Sequence, residues 1–285
     1  MIPIDFAYCL PETLSEAVAA HERYHKEDRP ALYYGGGSEI ITMSRAGSIL
    51  PGAVIDLKRI PECLALEKTK DALVIGAANS LRRIKDSNLF PMLGKACGRV
   101  ADHTNQCRIT LGGNLSGTIR YRETSLPLLL SDASALLWGP QGLRREPFCH
   151  VFDGRMHYRP GEFLMQIQVP AAMLEQPFIH VKKTAGEKID YPLVNVTAAL
   201  VNGRLRVALS GVCSDPVRSA QVEGALNDAQ LSPAARAEEA LRRLPQAATD
   251  SEAGGSYRLF VLRNTLHNLL AAWQDGALEK NDANI

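Results

Sequence analysis

Tyr-Tyr-Gly-Gly-Gly-Ser-Glu-Ile, residues 33–40, is the stretch on which the reading of this chain turns. The apolar run ALYY (31–34) reads as a short strand, and the glycines after it allow a tight turn with no side chain in the way. A helix starting at Ser38 adds its own unpaired amides, so up to four consecutive main-chain donors surround one spot, an arrangement that suits an anion. The loop matches neither G-x-G-x-x-G nor G-x-x-x-x-G-K-[ST], so nothing here supports a Rossmann or P-loop reading. Taken alone, three glycines and a serine also make an ordinary turn.

A second turn, Thr110-Leu111-Gly112-Gly113-Asn114-Leu115, again places Gly-Gly after a hydroxyl residue and before an amide side chain. Two donor-rich turns in one domain can grip both phosphates of a dinucleotide. Two unrelated loops are the other reading of the same residues.

Working outward, PETLSEAVAAHERYH carries Leu14, Ala17, Val18 and Tyr24 at helical spacing and is expected to open near Thr13. IITMSRAG makes a helical turn or two, while AVIDL and ALVIGAA read as strands of one mixed sheet. LRRIKD, FPMLGKACGRVA and SLPLLLSDA read as helices, and ALLW and EFLMQIQVP as strands, the last ending at Pro170. From about residue 176 the texture changes. FIHVKKT, VTAALV and LRVALSG form an antiparallel meander, the last two joined by the hairpin signal Asn202-Gly203. Helices are expected after Asp215-Pro216, across PAARAEEALRRL and across SYRLFVLRNTLHNLLAAW, with ATDSEAGGS as a mobile loop before the last. The pattern is that of an α+β protein with two domains.

Thirty-two basic against thirty-one acidic residues leave a formal charge of +1, so global electrostatics predicts neither a nucleic-acid nor an anionic-membrane partner. MIPIDFAYCLPETLSEAV lacks a basic segment followed by an apolar run, and the expected location is the cytoplasm. The six cysteines lie far apart, without a C-x-x-C pair, and the seven histidines show no metal spacing. Any metal or cluster is therefore expected on a partner chain.

Together, YYGGGSEI and TLGGNLSGTIRYRETSLPLLLSDA resemble the two flavin-binding stretches of the FAD domain of molybdenum hydroxylases, the medium subunits of xanthine and carbon monoxide dehydrogenases. GEFLMQIQVP, KKTAGEKIDYPLVNVTAAL and SGVCSDPVRSAQVEGAL extend the likeness over nearly the whole chain. The resemblance implies a two-lobed FAD-binding domain of the vanillyl-alcohol-oxidase (PCMH) type over residues 1–172, with lobes of about 1–58 and 59–172. A smaller α+β C-terminal domain with a three-stranded antiparallel sheet follows over 176–285.

By the same resemblance, Gly36, Gly37, Ser38 and Glu39 form the first flavin loop, with the acidic residue beside the flavin, and Tyr33, Tyr34, Gly35 and Ile40 flank it. Thr110, Gly112, Gly113, Asn114 and Ser116 form the second, completing phosphate and ribityl contacts. Glu123 stands where the family usually has an Asp holding a ribose hydroxyl. Leu164 falls near the isoalloxazine and Lys182 near its polar edge. Arg120-Tyr121-Arg122 departs from the Ala-Ser-Pro common in relatives, and either an exposed arginine pair or a phosphate or carboxylate contact would account for it.

The implied role is electron transfer without a catalytic acid or base. Substrate is oxidised at molybdopterin in a large partner, electrons pass through iron-sulfur clusters in a small one, and FAD here delivers them to NAD or another acceptor. The alternatives are a self-contained FAD-dependent oxidoreductase and a redox-inactive nucleotide-binding assembly module.

Overall fold

The computed structural model describes residues 4–187, 189–250 and 253–274. Its first lobe runs β1 (Ala7–Cys9), α1 (Leu14–Lys26), β2 (Ala31–Tyr34), α2 (Ser38–Arg45) and β3 (Ala53–Asp56), with the strands in a parallel sheet of order β1-β3-β2. Helix α1 begins where the sequence places it. Thr13 Oγ1 accepts the Glu16 amide at 3.2 Å, and Glu16 reaches back to the Glu12 amide at 2.8 Å, satisfying two donors that the helix cannot. Leu14, Ala17, Val18 and Tyr24 then face the core, where they meet Ile55 and Leu57.

The second lobe comprises α3 (Pro61–Leu64), β4 (Leu66–Lys68), β5 (Ala72–Gly76), α4 (Leu81–Ser87), α5 (Pro91–Cys97), α6 (His103–Gln106), α7 (Leu111–Ser116), α8 (Ser125–Leu130), β6 (Ser134–Gly139), β7 (Gly142–Pro147), α9 (Phe148–Val151) and β8 (Phe163–Pro170). Its sheet has the order β4-β5-β8-β6-β7, with every neighbouring pair antiparallel. The AVID and ALVIG runs thus belong to two different sheets, one parallel and one antiparallel, and not to a single mixed sheet. Both runs are short and β-branched, and only distant pairing decides which sheet each joins. Strand β7 has no sequence signal because GLRREP never turns a buried face to the core. It is a charged edge strand, which also protects the sheet from further pairing.

The remainder forms β9 (Phe178–Thr184), β10 (Pro192–Val201), β11 (Arg204–Ser210), β12 (Val217–Arg218), α10 (Ala220–Leu226), α11 (Pro233–Arg242) and α12 (Gly255–Gln274). The antiparallel sheet is ordered β12-β11-β10-β9, so a short fourth strand extends the expected three. At the β10–β11 hairpin Asn202 and Gly203 both take positive φ, 51° and 72°, as a type I′ turn requires. Asp215-Pro216 does not open a helix. Val217 and Arg218 pair with β11, and α10 starts only after Ser219, whose Oγ accepts the Val222 amide. In the ATDSEAGGS segment, Ala248 donates to the Val212 carbonyl at 2.7 Å and Asp250 accepts from Arg258 at 2.6 Å; residues 251–252 lie outside the described ones.

Helix α8, apolar after its first residue Ser125, is buried on every side because it is sandwiched between α5 and strands β10, β11 and β12. Arg258 on α12 is fully buried and donates to the carbonyls of Pro192, Leu193 and Gly211 as well as to Asp250. Among the described residues no helix is long and apolar enough to cross a membrane.

His180 on β9 is half-buried against Thr197, with Nδ1 2.9 Å from Oγ1 and Nε2 fully enclosed. Burial, reinforced by the charges of Arg99, Lys182 and Lys95, pushes its pKa down to about 3. The unfolded chain takes up this proton near pH 6.5 and the folded one does not, so stability is complete above that pH and lost as the pH falls towards 3. Denaturant titrations at stepped pH should show this decline, and H180N should flatten its slope by up to about 1.4 kcal/mol per pH unit.

Candidate cofactor-binding site

The first glycine turn leaves β2 and enters α2 through Gly37, which has φ +69° and supplies no side-chain cap. A Cβ on Gly37 would overlap the Tyr34 ring, so the left-handed glycine and the tyrosine beneath it are fitted to each other. The amides of Gly36, Gly37, Ser38, Glu39 and Ile40 take no acceptor among the described residues, and the first internal bond of the turn is Ile41 N to Gly37 O at 2.8 Å. These are the donors a diphosphate needs.

The second turn is built differently. Thr110 caps α7 by accepting the Gly113 amide at 3.1 Å, and Asn114 N bonds Thr110 O at 2.9 Å. Leu111 N donates to Asn79 O at 2.9 Å and Gly112 N to Ala77 O at 2.8 Å. Its main-chain donors are thus engaged, and the picture of two equivalent amide cradles needs correcting: this turn offers side chains. Gly112 is required because a Cβ there would press on Ala77. Asn114 Oδ1 accepts from Thr124 Oγ1 at 2.6 Å, and Ser116 Oγ lies 2.5 Å from Tyr158 Oη, whose pKa burial pushes up to about 12.

The two turns meet. A Cβ on Gly36 would overlap the Arg108 carbonyl oxygen, and one on Gly35 would sit 2.5 Å from Thr110 Oγ1. Glu39 joins them a second time, since its Oε1 accepts both the amide and the hydroxyl of Thr118 at 2.5 Å. Burial pushes up the phenol pKa of Tyr33, which donates to the Gly161 carbonyl at 2.8 Å and stacks on His21. Ile40 is half-buried beside these residues.

Glu123 and Lys182 come from distant parts of the chain to form a buried ion pair of 2.9 Å, their side chains 6% and 2% exposed. Lys182 also donates to the Arg99 carbonyl at 2.9 Å, and Asn195 to the other Glu123 oxygen at 3.2 Å. Burial raises the Glu123 pKa, and the adjacent ammonium opposes it. Leu164 is packed in the same large core as Leu111 and Leu115; the carbonyl of the next residue, Met165, holds the Ala77 amide.

The Arg-Tyr-Arg segment is tied inward. Arg120 pairs with Asp250, and Tyr121 stacks on Tyr191 with centroids 4.9 Å apart. Arg122, buried and at φ 32°, donates to the carbonyls of Gly117 and Gly154 and to Asp215 at 3.3 Å. The carboxylate alternative thus describes both arginines, with the carboxylates supplied by this chain. Neither is an exposed cation. Sequence reading missed Thr118, Asn195 and Lys58 at the site, since a lone Thr, Asn or Lys carries no motif.

Gly36→Ala should force the turns apart and cost about 1–3 kcal/mol in denaturant unfolding, as overpacking does, whereas Gly113→Ala, whose Cβ meets only Thr110 Oγ1 at 3.0 Å, should cost much less. Lys182→Met leaves the buried Glu123 carboxylate without its counter-ion and should cost about 3–5 kcal/mol, most of it recovered in the double variant with Glu123→Leu. Additive losses in that double-mutant cycle would argue against a coupled pair.

A family model described as the FAD binding domain in molybdopterin dehydrogenase matches residues 4–172. The carbon monoxide dehydrogenase medium chain of Hydrogenophaga pseudoflava is 28% identical over 177 residues, spanning 60% of this chain and 61% of its own. The glyceraldehyde dehydrogenase medium chain of Sulfolobus acidocaldarius is 25% identical over 234 residues, 78% of this chain and 81% of that one. In fold, a chain from the solved carbon monoxide dehydrogenase of Hydrogenophaga pseudoflava superposes with a TM-score of 0.84 at 24% identity, covering 96% of this chain and 99% of that chain. With the glycine turns and the two-lobed fold around them, these matches lead to one conclusion: the chain belongs to the family of FAD-binding domains of the molybdopterin dehydrogenases.

Proposed function

We propose that this chain is the flavin subunit of a molybdenum-containing hydroxylase or dehydrogenase, taking electrons from a partner iron-sulfur subunit and passing them from FAD to NAD or another acceptor. Residues 1–172 would form the flavin-binding unit and 176–285 the unit that closes against it. The observation that carries the reading is the first glycine turn, whose amides from Gly36 to Ile40 stay without acceptors while the turn is braced against the second at Arg108 and Thr110.

Gly36, Gly37, Ser38, Glu39 and Ile40 would hold the diphosphate through the main chain, and Thr110, Asn114 and Ser116 would add side-chain contacts, with Gly112 and Gly113 letting the backbone come close. Tyr33, Tyr34 and Gly35 would line the approach. Glu123 reaches a ribose hydroxyl only by sharing its carboxylate with Lys182 and Asn195, and Leu164 and Lys182 would border the ring. When bound, FAD supplies the conversion between single-electron and two-electron transfer. The chain's own part is to hold and orient the cofactor.

Relatives named medium chain or subunit alpha imply companions, among them a 6-hydroxypseudooxynicotine dehydrogenase complex subunit of Paenarthrobacter nicotinovorans. A molybdopterin large subunit and an iron-sulfur small subunit are the partners proposed here. The purified full chain is expected to carry one FAD and neither iron nor molybdenum, and to gain both metals only when co-purified with the chains encoded beside it. Flavin absorption and metal analysis of the two preparations test this. A colourless chain that takes up no added FAD would favour the assembly-module alternative. Bleaching of the isolated chain by an organic substrate would favour the self-contained oxidoreductase.

A further inference from the structure

Lys58 belongs to no motif and none of the roles above uses it. It sits just after β3, in a short 3-10 turn at Leu57–Arg59 whose cap is Asp56. Its ammonium donates to the carbonyl oxygen of Gly35 at 2.7 Å and to Asp56 Oδ2 at 2.7 Å, and it lies 4.5 Å from the centroid of the Tyr34 ring. Asp56 is itself fixed. Its side chain is buried and also accepts the Tyr8 hydroxyl at 2.6 Å and the Lys58 amide at 3.0 Å.

A trans peptide carries its C=O and N–H on opposite edges. Holding the Gly35 oxygen on the lysine side therefore turns the Gly36 N–H away from the ammonium, and that N–H has no acceptor among the described residues. Three consecutive glycines would otherwise sample many orientations of this peptide, and a cofactor would have to select one at an entropic cost. The Tyr34 ring, which takes the cation on its face and also lies against Gly37, links the lysine to the far side of the same turn.

We propose that Lys58 is a positioning residue for the diphosphate of the cofactor: held by Asp56, it fixes the Gly35–Gly36 peptide with its amide outward. This rests on the flavin reading above. The distinguishing mark of the role is that it acts on the phosphates and not on the isoalloxazine.

The test uses the full chain stripped of cofactor, with FAD binding followed by flavin fluorescence, ADP by calorimetry and riboflavin as the phosphate-free probe. Lys58→Met is expected to weaken FAD and ADP together by about tenfold, the scale of one hydrogen bond from a charged donor. Riboflavin affinity should stay unchanged. Lys58→Arg, which can still reach Gly35 and Asp56, should lose about threefold or less. The melting temperature of each ligand-free variant shows whether it folds. FAD and ADP affinities within twofold of wild type in a folded Lys58→Met chain would overturn the proposal, as would an equal loss for riboflavin. A wild-type chain that binds no FAD would instead bring down the flavin reading itself.

Discussion

The site depends on one close approach: the α-carbon of Gly36 lies so near the Arg108 carbonyl that no β-carbon fits between them. This contact joins a parallel α/β lobe to an otherwise antiparallel one, at the point where each makes its glycine turn. Because the approach is backbone against backbone, side-chain adjustment cannot restore it once it is lost. The Thr118 bonds to Glu39 add a second connection, between the first turn of α2 and the residues just after α7.

The turns share a pattern of glycines but not a physical role. In the first, glycine gives the left-handed entry to α2 and leaves amides open. In the second, Gly112 allows α7 to pack against Ala77, while Leu111 and Gly112 spend their amides on the carbonyls of Asn79 and Ala77. A glycine run records only that a side chain is forbidden. It does not record whether the main chain is then free or bonded, because the acceptors at residues 77 and 79 lie more than thirty positions upstream.

The same distinction decides how much of the fold could be read in advance. Thr13, the Asn202-Gly203 hairpin and the apolar spacing of α1 are local signals whose physics is complete within a few residues, and they are where the sequence places them. AVID and ALVIG could be read as strands but not assigned to sheets, because pairing is non-local. Strand β7 was hidden by its charge, and the helix expected at Asp215-Pro216 gave way because Val217 and Arg218 add an edge to β11. At the site, the glycine positions were legible from motif. The Lys182–Glu123 pairing, the inward turn of Arg120 and Arg122 and the Lys58 anchor were not, since each joins residues that no spacing rule connects.

Four consecutive residues, Arg120 to Glu123, bond in turn to Asp250, Tyr191, Asp215 and Lys182, all of them in the C-terminal part of the chain. This ribbon acts as a zip fastener between the halves, and Arg206 and Arg218 add a second set of ties to Asp132 and to the carbonyls of Leu130 and Leu129. Detaching the four-stranded sheet would strand a buried carboxylate and a buried guanidinium together, a penalty no partly opened form can bear. The halves should therefore melt as a single cooperative block, with one calorimetric peak where a loosely tethered pair of domains would give two.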